Sequence, residues 1–454
     1  MTILIRVYLT CLAVLVILPI SARAQEYCAV VPETIEQLGV PDLRTYNIWD
    51  VVYGVPLEDE NFYDYLPVDD EKVILVGSTR NDLTARPFIL STDRRGRVFW
   101  QWKGNPDSGS SLILKRILEI DDKTFLTVGR LVQEGVPQGI WLGIFNREDG
   151  TLIKTHVLQK SGIHLEFTDL EKNIDGNGYI LSAVQKEAGT HTTPPHARFY
   201  LLDQDLDVIE DRAFIPAHEN YIHDVLVAAD THGNKFYLAV GEGQNAYGRT
   251  EAIILRLDPY LNVAWQRSFP RGAGSRFFGV TRTRTSEITA VGDVLPAMED
   301  ASRAGLLISM DLALGTVRQE RYYSFPEVDY TGKDVLTLKD GRTLLVMAGY
   351  TRNEEHKADH ARYLTLSPRG VIMKDLSYSN GKGAIPEEMK IGPLDRIYIG
   401  GSTTIEDPDP EDPENETIRS QDGWMVVGEP IENYEDPCIP KIREFPKIRG
   451  FDDN

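Results

Sequence analysis

Positive charge is in deficit in this sequence. It carries 48 Lys and Arg against 69 Asp and Glu, a formal net charge of −21. Such a surface repels phosphate backbones and anionic lipid, which argues against nucleic acid or a membrane surface as partner. Amphipathic helices of useful length are missing, so an all-β chain is expected. There is no phosphate-binding glycine loop and no nucleophile with a base at a recognisable spacing. The many serines fall in turns, where bonding to backbone accounts for them. These absences favour a non-catalytic protein over an enzyme without deciding between them. Cysteine is scarce too, at Cys11, Cys28 and Cys438 only.

The first 24 residues read as a secretory signal peptide. Arg6 precedes the apolar run "VYLTCLAVLVILPI", and Ala22-Arg23-Ala24 supplies a small-x-small cleavage site. The run is too short and wrongly flanked for a membrane span. Cys28 lies beyond the cleavage point, unlike a lipoprotein cysteine. The expectation is an exported protein, periplasmic or extracellular, whose mature chain keeps Cys28 and Cys438. Loss of Arg6 and Arg23 takes the formal charge from −21 to −23.

One pattern recurs. Aligned on the end of the first strong apolar run, the chain shows Gly77, Gly129, Val184, Gly241, Gly292, Gly349 and Gly401, at steps of 52, 55, 57, 51, 57 and 52 residues. Each copy has a strand, a short turn such as "DGNG" or "KDGR", the strand ending at the mark, a variable polar loop, a third strand and mostly a fourth. Short β-branched and aromatic runs divided by turn residues are hairpin signals. Four-stranded units at this period predict a β-propeller, because a lone blade cannot bury both faces whereas a ring of blades can. The expected fold is an all-β, seven-bladed β-propeller of four-stranded antiparallel blades.

The seventh copy lacks a fourth strand, and "TYNIWDVVYG" (Thr45 to Gly54) is spare at the other end. That segment is expected to complete the last blade. Cys28 and Cys438 would then meet and form a disulfide at the closure. The expected divisions are the signal at 1–24, an N-terminal segment with the closing strand at 25–54, the propeller at 55–430 and a tail at 431–454.

The residues Gly77-Ser78-Thr79, "RPFILSTDRRGRVFW", "AIILRLDPYLNVAW" and Gly401-Ser402-Thr403 give the repeats a resemblance to secreted bacterial seven-bladed β-propellers. The resemblance covers roughly residues 55 to 430 and implies the fold, not an activity. The recurrent Gly-His and Trp-Asp pairs of WD40 repeats are missing, as are the Gly-Gly pairs of Kelch repeats and the regular Trp motif of quinone dehydrogenases. The segment Ser91 to Gly96 nearly matches a sialidase Asp-box but carries one extra residue. It reads as a structural hairpin in which Asp93, like Asp258, bonds its own backbone.

Links after the second and fourth strands share one face, and those between second and third strands are long: "QKEAGTHTTPPHA", "LPAMEDASRAG", "TRNEEHKADHA". Long loops on a rigid scaffold are where binding usually sits. Seven of the nine His lie in or beside that face. The leading expectation is a binding protein, monomeric and without cofactor, presenting this face to a protein, peptide or glycan. Tyr221, Tyr247, Trp141, His191, His196, His356 and His360 are the candidate contact residues. The alternative is a metal-dependent lyase or hydrolase with zinc or manganese on His164, His218 and His223, and Asp224 or Glu166 adding oxygen. A purely structural envelope component is the third reading.

Carboxylates recur in the first strand at Asp64, Asp169, Asp224, Asp334 and Glu388. A position that repeats serves the repeat, so these are expected to accept backbone N–H bonds that lock blades together. An acidic ring holding a cation such as calcium is the other reading. The acidic, Pro-rich "EDPDPEDPENET" (Glu406 to Thr417) reads as a mobile loop. The cationic tail "KIREF…KIRGF" is expected to pack back on the propeller or to dock on a partner.

Overall fold

The computed structural model describes residues 33–38, 43–44, 50–54 and 59–431, apart from loop positions 82–83, 94–95, 107–108, 190–192, 217, 285, 299–300, 313–314, 353–358, 379–382 and 409–416. Seven antiparallel sheets of at least four strands follow one another along the chain. Their innermost strands are Asp59–Pro67, Ser110–Glu119, Ile163–Lys172, Asn220–Ala229, Gly274–Arg284, Val328–Thr337 and Ala384–Ile391. These define blades one to seven.

Packing closes the blades into a ring. Successive side chains of a strand point to opposite faces, and here each face meets a different blade. In blade one, Val73 and Leu75 join Tyr398, Met425 and Val427 of blade seven. Ile74 and Val76, from the same strand, join Leu112, Leu114 and Phe125 of blade two. Five further apolar clusters fill the remaining interfaces in order. Burial on both faces explains why the second and third strands read as unbroken apolar runs. The fourth strand of blade one, Val98–Lys103, is by contrast mostly exposed.

The closing strand lies where the sequence places it. Asp50–Tyr53 pairs antiparallel with Thr417–Pro430 as the outermost strand of blade seven. The N-terminal segment does more than this. Glu33–Gln37 adds a fifth, parallel strand to blade five, and Leu43–Arg44 does so on blade six. Leu38 then inserts its side chain into the core between those blades. The middle of the acidic insertion, 409–416, lies outside the described residues, and only its two ends are seen. Strand pairing continues outward through Glu406↔Arg419, Asp407↔Ile418 and Pro408↔Thr417. Cys28, Cys438 and the KIREF…KIRGF tail lie outside the described residues.

The repeat has one further regularity, a β-bulge in every innermost strand. Register shifts follow Phe62, Leu114, Phe167, Ile222, Phe277, Gly332 and Pro386. The glycine marks answer to this bulge. Gly77 and Gly241 pair with the residues just before it, and the bulged strand swings a carbonyl into the space a Cβ would need. A Cβ on Gly77 would stand 2.0 Å from the Asn61 oxygen, and one on Gly241 1.9 Å from that of Tyr221. The same register puts Ala183 and Met347, rather than Val184 and Gly349, at the equivalent positions of blades three and six.

Candidate functional site

A bulge adds one residue and re-aims its neighbours. Repeated seven times round an axis, it generates two stacked rings of side chains. The first consists of the bulged residues themselves: Tyr63, Lys115, Thr168, His223, Phe278, Lys333 and Glu387. The second is the next residue in each strand: Asp64, Arg116, Asp169, Asp224, Gly279, Asp334 and Glu388. All of the first ring, and the second ring except Asp64 and Gly279, line an axial cavity of about 430 Å³.

The second ring is bound into the fold. Asp64 accepts from the Ile117 N–H of blade two (2.9 Å), Asp169 from Val225 of blade four (2.9 Å), Asp224 from Val280 of blade five (2.7 Å) and Asp334 from Met389 of blade seven (2.9 Å). Four of the five recurring carboxylates therefore lock neighbouring blades, as their recurrence implies, while Glu388 pairs with Arg116 instead. Blade two departs from the pattern. Its Arg116 reaches Asp169 at 3.1 Å and Glu388 at 2.5 Å, with Asp64 at 3.8 Å. Lys390 binds Asp64 and donates to the Tyr65 carbonyl at 2.9 Å. Two cations thus answer a surplus of acids.

Burial shifts the titration of several of these acids. Burial, then the charge of Asp169 and a hydrogen bond with it, holds the Asp224 carboxyl well above the usual range. Burial does the same to Glu388 and lifts Asp334 to about 6. Glu171, beneath the ring, is raised to about 7 by burial and the Asp169 charge. Burial opposes the charge of Arg116, but Asp169, Glu388 and Asp64 more than offset it.

The first ring is unlike from blade to blade. Lys333 pairs with Glu387 at 3.5 Å. Lys115 sits over the Tyr63 ring, 3.2 Å from its centroid, and burial lowers its amine to about 8. His223 packs on Phe278 with ring centroids 4.8 Å apart, and its Nε2 is 3.5 Å from Glu242. That nitrogen is buried and has no hydrogen-bond partner. Tyr221 and Glu166 line the wall from earlier in the same strands, and Glu166 pairs with Arg130.

The structure separates the residues proposed from sequence. His223 and Tyr221 line the axial cavity. His164 does not join them, because its Nδ1 is 3.0 Å from the Pro137 carbonyl. His218 uses its own carbonyl to accept from Asn220 at 3.4 Å. Among the described residues, no group of three or more His, Cys, Asp or Glu is arranged to hold a metal ion. His164, His218 and His223 therefore do not make the ligand set the alternative reading requires. Two supposed contact residues are core: His196 is buried against Asn220 (3.1 Å), and His360 against the Tyr330 hydroxyl (3.0 Å). Trp141 stacks on Trp102 at 6.2 Å between blades one and two. Tyr247 projects into solvent, 94% exposed. His191 and His356 lie outside the described residues.

Lys115, Phe278, Lys333 and Glu387 were not anticipated. The signal was present as a recurring apolar-x-acid-apolar tetrad: Phe62-Tyr63-Asp64-Tyr65, Phe167-Thr168-Asp169-Leu170, Ile222-His223-Asp224-Val225. The acid draws attention, and the variable residue before it holds the site.

No family model matches the chain, and no curated protein matches it. Solved structures do. A GH43 β-1,3-galactosidase with galactodeoxynojirimycin is 10% identical, with a TM-score of 0.34 over 63% of this chain and 96% of that one. A puromycin hydrolase is 12% identical, with a TM-score of 0.44 over 74% of this chain and 50% of that one. An acylaminoacyl peptidase from Pyrococcus horikoshii is 9% identical, with a TM-score of 0.39 over 80% and 57%. The blade count and the site rest on this chain's own strand pairing and packing, and no chemistry is taken from these neighbours.

Proposed function

We infer that the protein is an exported binding protein for a small, hydroxyl-rich ligand of the sugar class, held in the axial cavity. The observation that carries this reading is the first ring. Seven positions that the repeat could have made alike differ in every neighbouring blade, and together they combine aromatic faces with polar groups. Phe278, Tyr63 and Tyr221 offer flat apolar surface, while Thr168, His223 and Glu387 offer donors and acceptors. The unpartnered His223 Nε2 is a buried polar atom left for something else to satisfy. The cavity, at about 430 Å³, falls in the range of small-molecule sites. A protein partner would need a broad contact surface, and several of the aromatic and imidazole groups expected to furnish one are packed inside. The glycan branch of the sequence expectation is therefore favoured over the protein branch. Binding rather than catalysis is favoured because the second-ring carboxylates are engaged by backbone N–H groups or by Arg116.

Titration calorimetry against a panel of mono- and disaccharides tests the assignment. Binding should be detected for part of the panel, and Phe278→Ala or His223→Ala should weaken it about tenfold or more with little change in melting temperature. No binding to any sugar, or binding indifferent to both substitutions, would overturn it.

A further inference from the structure

The cations at the cavity are unequally served. Arg116 is surrounded by Asp169, Glu388 and Asp64. Lys333 has Glu387 at 3.5 Å, and Arg130 has Glu166. Lys115 has the face of Tyr63, and among the described residues no carboxylate comes within salt-bridge distance of it. The Lys115 side chain is only partly buried, and it lines the cavity with a ring, not a counter-charge, against its ammonium.

The geometry points to Lys115 as the anchor for a carboxylate on the ligand, which makes the preferred ligand an acidic sugar of the uronate type. This rests on the sugar-binding reading above and narrows it. A uronate would set its carboxylate against the Lys115 ammonium and its ring against the aromatic sector of Phe278 and Tyr221, across the cavity from blade two. The acids beneath do not oppose this. Asp64, Asp169 and Glu388 are answered by Arg116 and Lys390, and Asp224 accepts the Val280 N–H, its carboxyl held above the usual range by burial. The depressed basicity of Lys115, about 8, agrees with an ammonium short of a counter-ion. The charged groups acting on it are Glu387, Arg130, Glu166 and Lys333, and all four are held in the two pairs described.

The test compares glucuronate, its methyl ester and glucose by calorimetry with the intact mature protein. Glucuronate should bind about tenfold or more tightly than the ester. The ratio of its affinity to that of the ester should fall above about pH 8 as the amine loses its proton, after any weakening at pH 5 to 7 as Asp334 and Glu171 ionise. Lys115→Met should abolish the difference between acid and ester, and Lys115→Arg should retain most of it. Equal binding of acid and ester by the wild-type protein overturns the uronate assignment and leaves sugar binding standing. Failure of all three ligands overturns both. Since the ester and pH arms need no substitution, the result holds even if Lys115→Met does not fold.

Discussion

Adjacent residues in the same seven strands behave in opposite ways. One position round the axis reads Asp, Arg, Asp, Asp, Gly, Asp, Glu, and the position before it reads Tyr, Lys, Thr, His, Phe, Lys, Glu. The first set is nearly uniform and bonded into neighbouring blades. The second has little pattern and faces the cavity. A repeat imposes uniformity where each copy does the same mechanical job, and it relaxes where the copies jointly shape one asymmetric object. Side-chain variation inside an otherwise regular repeat is thus a better pointer to a ligand site than the residue that recurs.

The sharpest way to break this contrast is Arg116→Met. It leaves several buried carboxylates without their central cation, and it should cost about 3–5 kcal/mol, seen as a large drop in the denaturant midpoint. Next comes Gly77→Ala. The added methyl meets the Asn61 carbonyl, so a loss of about 1–3 kcal/mol is expected. An unchanged melting temperature would mean that the bulge does not demand glycine there.

Glu171→Gln acts through pH. The folded protein holds a proton on Glu171 up to about pH 7, whereas the unfolded chain releases it near the ordinary glutamate value. Between those values the folded state binds more protons, so stability falls as pH rises. The Gln variant should gain on the wild type from pH 4 to pH 8, by about 1.4 kcal/mol for each pH unit separating folded from unfolded titration. Parallel stability curves for the two proteins would show that Glu171 titrates normally. The smallest effect is expected from Thr168→Ala in the variable ring, about 1 kcal/mol in stability from loss of its 2.8 Å hydrogen bond to buried Ser182, read by denaturant midpoint.

Much of the fold was legible in the sequence because strand period and turn chemistry are local. The seven copies, the closing strand before Gly54, the Asp turns and the role of the recurring acids all followed from spacing. Asp93 does accept from the Arg97 N–H at 2.9 Å, and Asp258 from Tyr260 and Asn262 at 2.8 Å each. The site was less legible. Histidines drew attention as ligands, yet His196 and His360 satisfy buried hydrogen bonds inside the blades. Their loops gave no sign of this, since burial is set by the neighbouring blade. The bulge was hidden for a related reason. It changes which residue faces the axis without changing the apolar alternation that marks the strand. Only its by-product, the glycine opposite, was visible, and in blades three and six even that is replaced by Ala183 and Met347.

The path of the N-terminal segment sets the order in which the molecule can be completed. Asp50–Tyr53 leaves the synthesis machinery among the first residues, and its partner Thr417–Pro430 among the last. Until then Glu33–Gln37 and Leu43–Arg44 have no blades five and six to lie on. The early segment therefore has no sheet to pair with until those blades form. Contacts across so long a stretch of chain slow folding, and the unclosed edge of blade seven is exposed to pairing with other molecules in the interval. A shortened N-terminus should therefore harm yield and aggregation behaviour more than it harms any single blade.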